Sequence, residues 1–223
     1  MFSVSEAWKT RYPGAAAGVL AMGNVANPKS HPAMDQAKEE LEGQIRASFA
    51  SKEELRALDR MQAYRAYYTR FKKTYHVQLQ LESIAFKGKS IPRVAALVEA
   101  MFVAELKNKL LTAGHDLDIV EPPVELDIAQ GNERFTRING QEQQLKADDM
   151  YISDTQGVLS AVIYGPDQRT RLLPTTRRAL FTAYAPPSIG VEAVQQHLQD
   201  MEAYVRLFAP QAETELLQVY EAD

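Results

Sequence analysis

The sequence predicts an α+β fold: a helical N-terminal half packed on a largely antiparallel, sandwich-like β region, closed by a C-terminal helix. Three observations carry this. From position 33 to about 111, apolar residues recur three and four apart, the spacing of one helix face. From about 116 to 185, Gly, Pro and Asn punctuate short runs rich in β-branched and aromatic residues. From 191 to 208 helical spacing returns. Helices gathered first and strands later argue against an alternating α/β fold. The chain has 223 residues, enough for one full core, and is expected to be a single domain over 1–223.

Residues 1–12 are a short lead-in. Ala15 to Met22 is small and apolar and is expected to be a buried strand. Gly23 to Pro32 is a loop, rich in Asn, Pro and Ser. Met34, Ala37, Leu41, Ile45 and Phe49 then mark a helix. Ser51 followed by Glu54 forms a capping box, which predicts one helix running to about Phe71. Val77 to Lys87 is a shorter helix. Pro92 suits a first helical turn, where its missing N–H costs nothing. A stripe of Val94, Leu97, Val98, Met101 and Phe102 continues that helix to about Leu111.

Leu110 to Asp118 is then the junction between helix and sheet. Strands are expected at 124–129, 150–153, 158–164 and 179–185, with Asn139-Gly140 as a tight hairpin turn. Pro186-Pro187 ends the last of these. Val191, Val194, Leu198, Met201, Val205 and Phe208 give the final amphipathic helix over about 190–209.

Composition narrows function. The formal net charge is −4, with 45% apolar and 24% charged residues, so a broad basic nucleic-acid surface is excluded and any such contact must be local. The chain has no cysteine, hence no disulfide, thiolate metal site or cysteine nucleophile. No apolar run is long enough for a transmembrane helix, and the start lacks a signal-peptide pattern, so a cytoplasmic location is expected. There is no nucleophile elbow, paired-histidine zinc motif or phosphate loop.

Two stretches carry a resemblance. The first holds Ala63-Tyr64-Arg65-Ala66-Tyr67-Tyr68, Leu81-Glu82-Ser83, Ile91-Pro92 and Ala113-Gly114-His115-Asp116-Leu117-Asp118. The second runs from Phe135 through Asn139-Gly140 and Asp148-Asp149 to Asp154, followed by Thr175-Thr176-Arg177. In order and spacing these resemble the editing domain of the bacterial phenylalanyl-tRNA synthetase β subunit, and more closely its free-standing relatives. There are departures. Val98-Glu99-Ala100-Met101 lacks the asparagine usual on the long helix. Asn139 replaces an aspartate in the hairpin turn. Tyr164 to Arg169 stands where relatives carry a tryptophan-arginine pair.

The resemblance implies hydrolysis in trans of the ester of a mischarged tRNA, with no cofactor and no metal. It implies the aminoacylated 3′ end of tRNA as partner, and neither DNA nor a membrane. His115 and Asp116 would be catalytic: His115 would orient water or bind the terminal ribose, and Asp116 would meet the substrate ammonium. Glu82, Gly114, Gly165, Thr170, Thr175 and Thr176 would hold the substrate. Arg65, Arg70, Lys72, Lys73, Arg169 and Arg171 would contact tRNA. Each residue also has a plainer role. His115 can satisfy free carbonyls at a helix end. Asp116 can be a turn carboxylate, and Glu82 an exposed helix acid. Tyr64, Tyr67 and Tyr68 can be core rather than a stacking platform for bases. A binding module that keeps the pocket without hydrolysis is the alternative function.

Overall fold

A computed structural model of the chain describes residues 2–223. Among these residues, seven helices and eleven strands form the α+β architecture expected. In order they are β1 (Phe2–Val4), α1 (Glu6–Arg11), β2 (Ala16–Gly23), α2 (Pro32–Ser48), α3 (Lys52–Ala57), α4 (Asp59–Arg70), α5 (His76–Lys87), α6 (Ala96–Asn108), β3 (Leu111–Asp116), β4 (Val124–Ile128), β5 (Arg134–Thr136), β6 (Glu142–Gln144), β7 (Met150–Asp154), β8 (Gly157–Ala161), β9 (Gly165–Pro166), β10 (Ala179–Ala185), α7 (Val191–Phe208) and β11 (Glu213–Glu221).

One antiparallel sheet has the order β11-β2-β10-β3. Every residue of β2 and β10 is buried, which explains their continuous apolar sequence. Gly18 of β2 faces α7. A Cβ there would lie 2.6 Å from Val194 Cγ1, so the missing side chain lets the helix approach the sheet. The second sheet is β1-β4-β7-β8-β9, antiparallel except for the β1–β4 pair. The β5–β6 hairpin is separate. One large core of buried apolar residues draws on α1, α2, both main sheets and α4 to α7.

The region expected as one helix from 51 to 71 is two helices. Ser51 caps α3 as the capping box requires, but Leu58 adopts ψ 136° and packs on the core, so the chain turns and restarts as α4. Nor does the helix begin at Pro92. It starts at Ala96, where partners from outside the helix satisfy the first amides. Ala96 N–H donates to Pro28 O at 2.9 Å, and Leu97 N–H donates to Asn27 Oδ1 at 2.9 Å. Val94 N–H donates to the Glu99 carboxylate at 2.9 Å.

Lys109, in the left-handed region at φ 60°, ends α6, and β3 begins two residues later. The expected junction over Leu110–Asp118 is therefore mostly strand. The Asn139-Gly140 turn is also different. Only Gly140 has positive φ, at 80°, and Gly140 N–H closes onto Arg137 O. That is a longer hairpin loop with a glycine bulge, not a two-residue turn. The 158–164 strand stops at Ala161. Strand β11 and the lead-in elements β1 and α1 were not expected.

A candidate ligand cleft

An apolar cleft of about 470 Å³ opens beside α6. Val98, Met101 and Phe102 of α6 form one wall. Leu111, Thr112 and Gly114 of β3 form another, and Gly165 and Pro166 of β9 continue it with Leu172. Ile138, exposed at the tip of the β5–β6 loop, reaches the same space. His76 and Arg171, both solvent-exposed, stand at its mouth. Glycine at 114 matters sterically: a Cβ there would come within 3.0 Å of Leu172 Cδ1 and 3.3 Å of the Phe181 ring.

Among the described residues, Glu105 is the one carboxyl lining this cleft. It is 2% exposed, and its Oε1 accepts the Thr112 N–H at 2.7 Å. Burial pushes its pKa up to about 8, so at neutral pH it keeps its proton and has an O–H to donate. Behind it, Thr112 Oγ1 lies 2.6 Å from His197 Nε2. Burial holds that imidazole neutral, with a pKa lowered to about 4.

The side-chain period of a strand separates the residues that the sequence grouped together. Successive side chains of β3 point to opposite faces. Thr112 and Gly114 line the cleft, which Leu111 also reaches from the first position of the strand, whereas His115 faces the second sheet and is fully buried. His115 Nδ1 lies 2.8 Å from Thr170 Oγ1, and Nε2 lies 3.2 Å from Ser160 Oγ on β8. Ser160 Oγ is 2.6 Å from the Tyr184 hydroxyl of β10, and Thr170 Oγ1 donates to Asp167. Burial first, and the Arg169 charge second, lower the His115 pKa to about 3, so the ring is neutral and ties the two sheets together. It is not a helix-end histidine, because no helix ends there.

Asp116 closes a turn. Its Oδ2 accepts the Thr176 hydroxyl at 2.6 Å and its Oδ1 accepts the Asp118 N–H. Thr170 and Thr176 are thus inside these networks, and Thr175 is exposed. Glu82 lies on α5 away from the cleft, paired with Arg56 at 2.8 Å and Gln78 at 2.9 Å. The Arg56 hydrogen bond, foremost, lowers its pKa. Of the residues assigned from sequence to substrate or tRNA, Gly114, Gly165 and Arg171 line the cleft, and the others do not.

The proposed tRNA-contacting cations divide. Arg169 is held by Asp154 at 2.8 Å and Asp167 at 3.6 Å. Arg70 lies over the Tyr12, Tyr67 and Phe71 rings and donates to the Tyr12 hydroxyl. Arg65, Lys72 and Lys73 are exposed. The interleaved tyrosines are core. Tyr64 stacks on Tyr75 with centroids 4.1 Å apart and 8° between planes, and Tyr67 donates to Asp149 Oδ1 at 2.7 Å. Being buried, they offer no stacking platform to a base. Glu105 had no sequence signal beyond an acid set among apolar helix residues, Ala104 and Leu106.

Two sheets, a helical layer and an apolar cleft with one protonated carboxyl define an α+β domain with a candidate ligand cleft. The chain belongs to the B3/4 domain family, which residues 59–209 match, the domain type of phenylalanyl-tRNA synthetase β subunits. Among solved structures, it is similar to an N-terminal fragment of the phenylalanyl-tRNA synthetase β subunit from Pyrococcus horikoshii, with a TM-score of 0.50 and 12% identity. That match covers 98% of this chain and 50% of the fragment, so the chain spans about half the fragment's length, and the likeness is one of fold. A search of curated protein sequences returns no match. Among the described residues, no helix is long and apolar enough to cross a membrane.

Proposed function

We propose that the chain is an editing domain that acts in trans, hydrolysing the ester of a mischarged tRNA in the cleft beside α6. The observation that supports this most is the cleft itself: apolar walls with one protonated carboxyl, in a chain of the B3/4 family. Val98, Met101, Phe102 and Leu172 would enclose an apolar amino-acid side chain. Glu105 would donate to a polar atom at the inner end, and Arg171 would sit beside the ester at the mouth. The ester is already activated, so binding geometry and oxyanion stabilisation can carry the reaction without a protein nucleophile. Water adds to the ester carbonyl, the bond to the ribose oxygen breaks, and the amino acid leaves tRNA with a free hydroxyl. In this proposal His115 and Asp116 are positioning residues: they hold β3, and through it Gly114 and Thr112, in place.

Purified protein incubated with a panel of aminoacyl-tRNAs should release at least one amino acid faster than the protein-free rate. No release from any of them would refute hydrolysis. The second reading is a binding module without turnover. It is favoured by the complete burial of His115, the residue the resemblance makes catalytic. A thermal shift with free amino acids, together with no release, would decide for it.

A further inference from the structure

A second cavity, of about 230 Å³, lies between α4 and the start of α5 and is strongly basic. Arg56, Arg65 and Lys73 line it, with Thr69, Thr74 and Gln78 supplying neutral polar groups. No acid lines it. Arg56 is paired with Glu82, but among the described residues neither Arg65 nor Lys73 has a salt-bridge partner. Arg65 and Lys73 thus bring two cations without a carboxylate partner to one concavity of a chain whose net charge is −4. The helix end adds to them. No side chain caps α5, and its first turn carries no acid, so its free N–H groups and positive dipole end belong to the same electropositive region.

The cavity adjoins the cleft. Thr74 and Tyr75 line the one and His76 lines the other. Lys73 Nζ lies 6.0 Å from the centre of the Tyr164 ring, and Tyr164 directly precedes the cleft residue Gly165. Cations with a guanidinium fork, hydroxyls and an uncapped helix end supply donors from several directions, which suits the tetrahedral oxygens of a phosphate.

We propose that this cavity binds a phosphate of the RNA strand whose aminoacyl end enters the neighbouring cleft, with Arg65 and Lys73 as its principal charges. The inference rests on the proposed function for the identity of the strand, and its test does not depend on turnover. Arg65→Ala/Lys73→Ala removes two exposed side chains, so the fold is retained. Its affinity for a fluorescent, uncharged RNA minihelix ending in CCA should fall about tenfold or more. The salt dependence of binding should flatten by on the order of one unit of log K per log salt. Arg65→Lys, which keeps the charge and loses the fork, should lose less. Arg206→Ala on α7 serves as a control for net charge and should bind as the wild type does. Equal affinity of the double variant and wild type would overturn the site. So would a wild-type protein that binds inorganic phosphate but not the minihelix. RNA binding lost in the double variant, with no amino acid released from any charged tRNA, would retain the phosphate site and refute hydrolysis alone.

Discussion

Replacing Glu105 by glutamine should remove a pH dependence that the wild-type fold carries. In the folded chain the carboxyl holds its proton up to about pH 8, whereas its ordinary pKa is 4.5. Between those values the folded state binds one proton more than the unfolded chain, so this residue's contribution falls as pH rises and is flat above about 8. At about 1.4 kcal/mol per pH unit, raising pH from 5 to 8 loses on the order of 3 kcal/mol through this one group. His115 and His197 act in the opposite sense. Their folded pKa values, about 3 and about 4, lie below the ordinary 6.5, so acidification favours the unfolded chain. The histidines oppose Glu105 only below about pH 6.5, and Asp149, raised by burial to about 7, acts in the same sense as Glu105. The wild type and the glutamine variant share these groups, so their difference isolates residue 105. Glutamine keeps an acceptor for the Thr112 N–H and cannot ionise. Urea unfolding of both proteins at pH 5, 6, 7 and 8 should show the glutamine variant gaining on the wild type by on the order of 3 kcal/mol across the series. A constant difference would mean that Glu105 is ionised at neutral pH, and the cleft would then present a charge rather than a donor.

Two further substitutions test the packing that positions the cleft. His115→Ala leaves a hole between the sheets and strips Ser160 and Thr170 of a partner, so stability should fall by about 2–4 kcal/mol in chemical denaturation; unchanged stability would show that His115 does not join the sheets. Gly18→Ala places a methyl group against Val194 and should cost about 1–3 kcal/mol, seen as a lowered Tm, with Val194→Ala restoring part of the loss; no change in Tm would show that α7 is not seated through Gly18.

The elements most legible in the sequence were those whose limits are set locally. Strand β10 ends where Pro186-Pro187 forbids further pairing, and β2 is a continuous apolar run because both its faces are covered. What escaped depends on distant partners. Asn27 and Pro28 decide where α6 begins, and nothing in residues 92–96 announces that. Strand β11 hides because its alternation is half exposed and interrupted by a bulge between Thr214 and Leu216. The site was legible only in part, for a related reason. Gly114 and Gly165 stand out as glycines. The cleft wall of Val98, Met101 and Phe102 is an ordinary apolar helix stripe, identical in pattern to one that packs a core. Assigning His115 to the cleft required a junction where the chain forms a strand. Which side of a strand a residue occupies follows from its pairing partner, and the β3–β10 register joins residues more than sixty positions apart.

That register has a consequence for how the domain can change. Thr112 and Gly114 of the cleft wall alternate with His115 of the polar tie along one edge strand, so they share a single frame. Deleting one residue from β3 would exchange their sides, bringing an imidazole into the cleft and setting a glycine against Ser160. Point substitutions at 112 or 114 can reshape the cleft one position at a time. Length changes in β3 cannot, and sequence variation in functional descendants of this fold should respect that strand's length even where its residues differ.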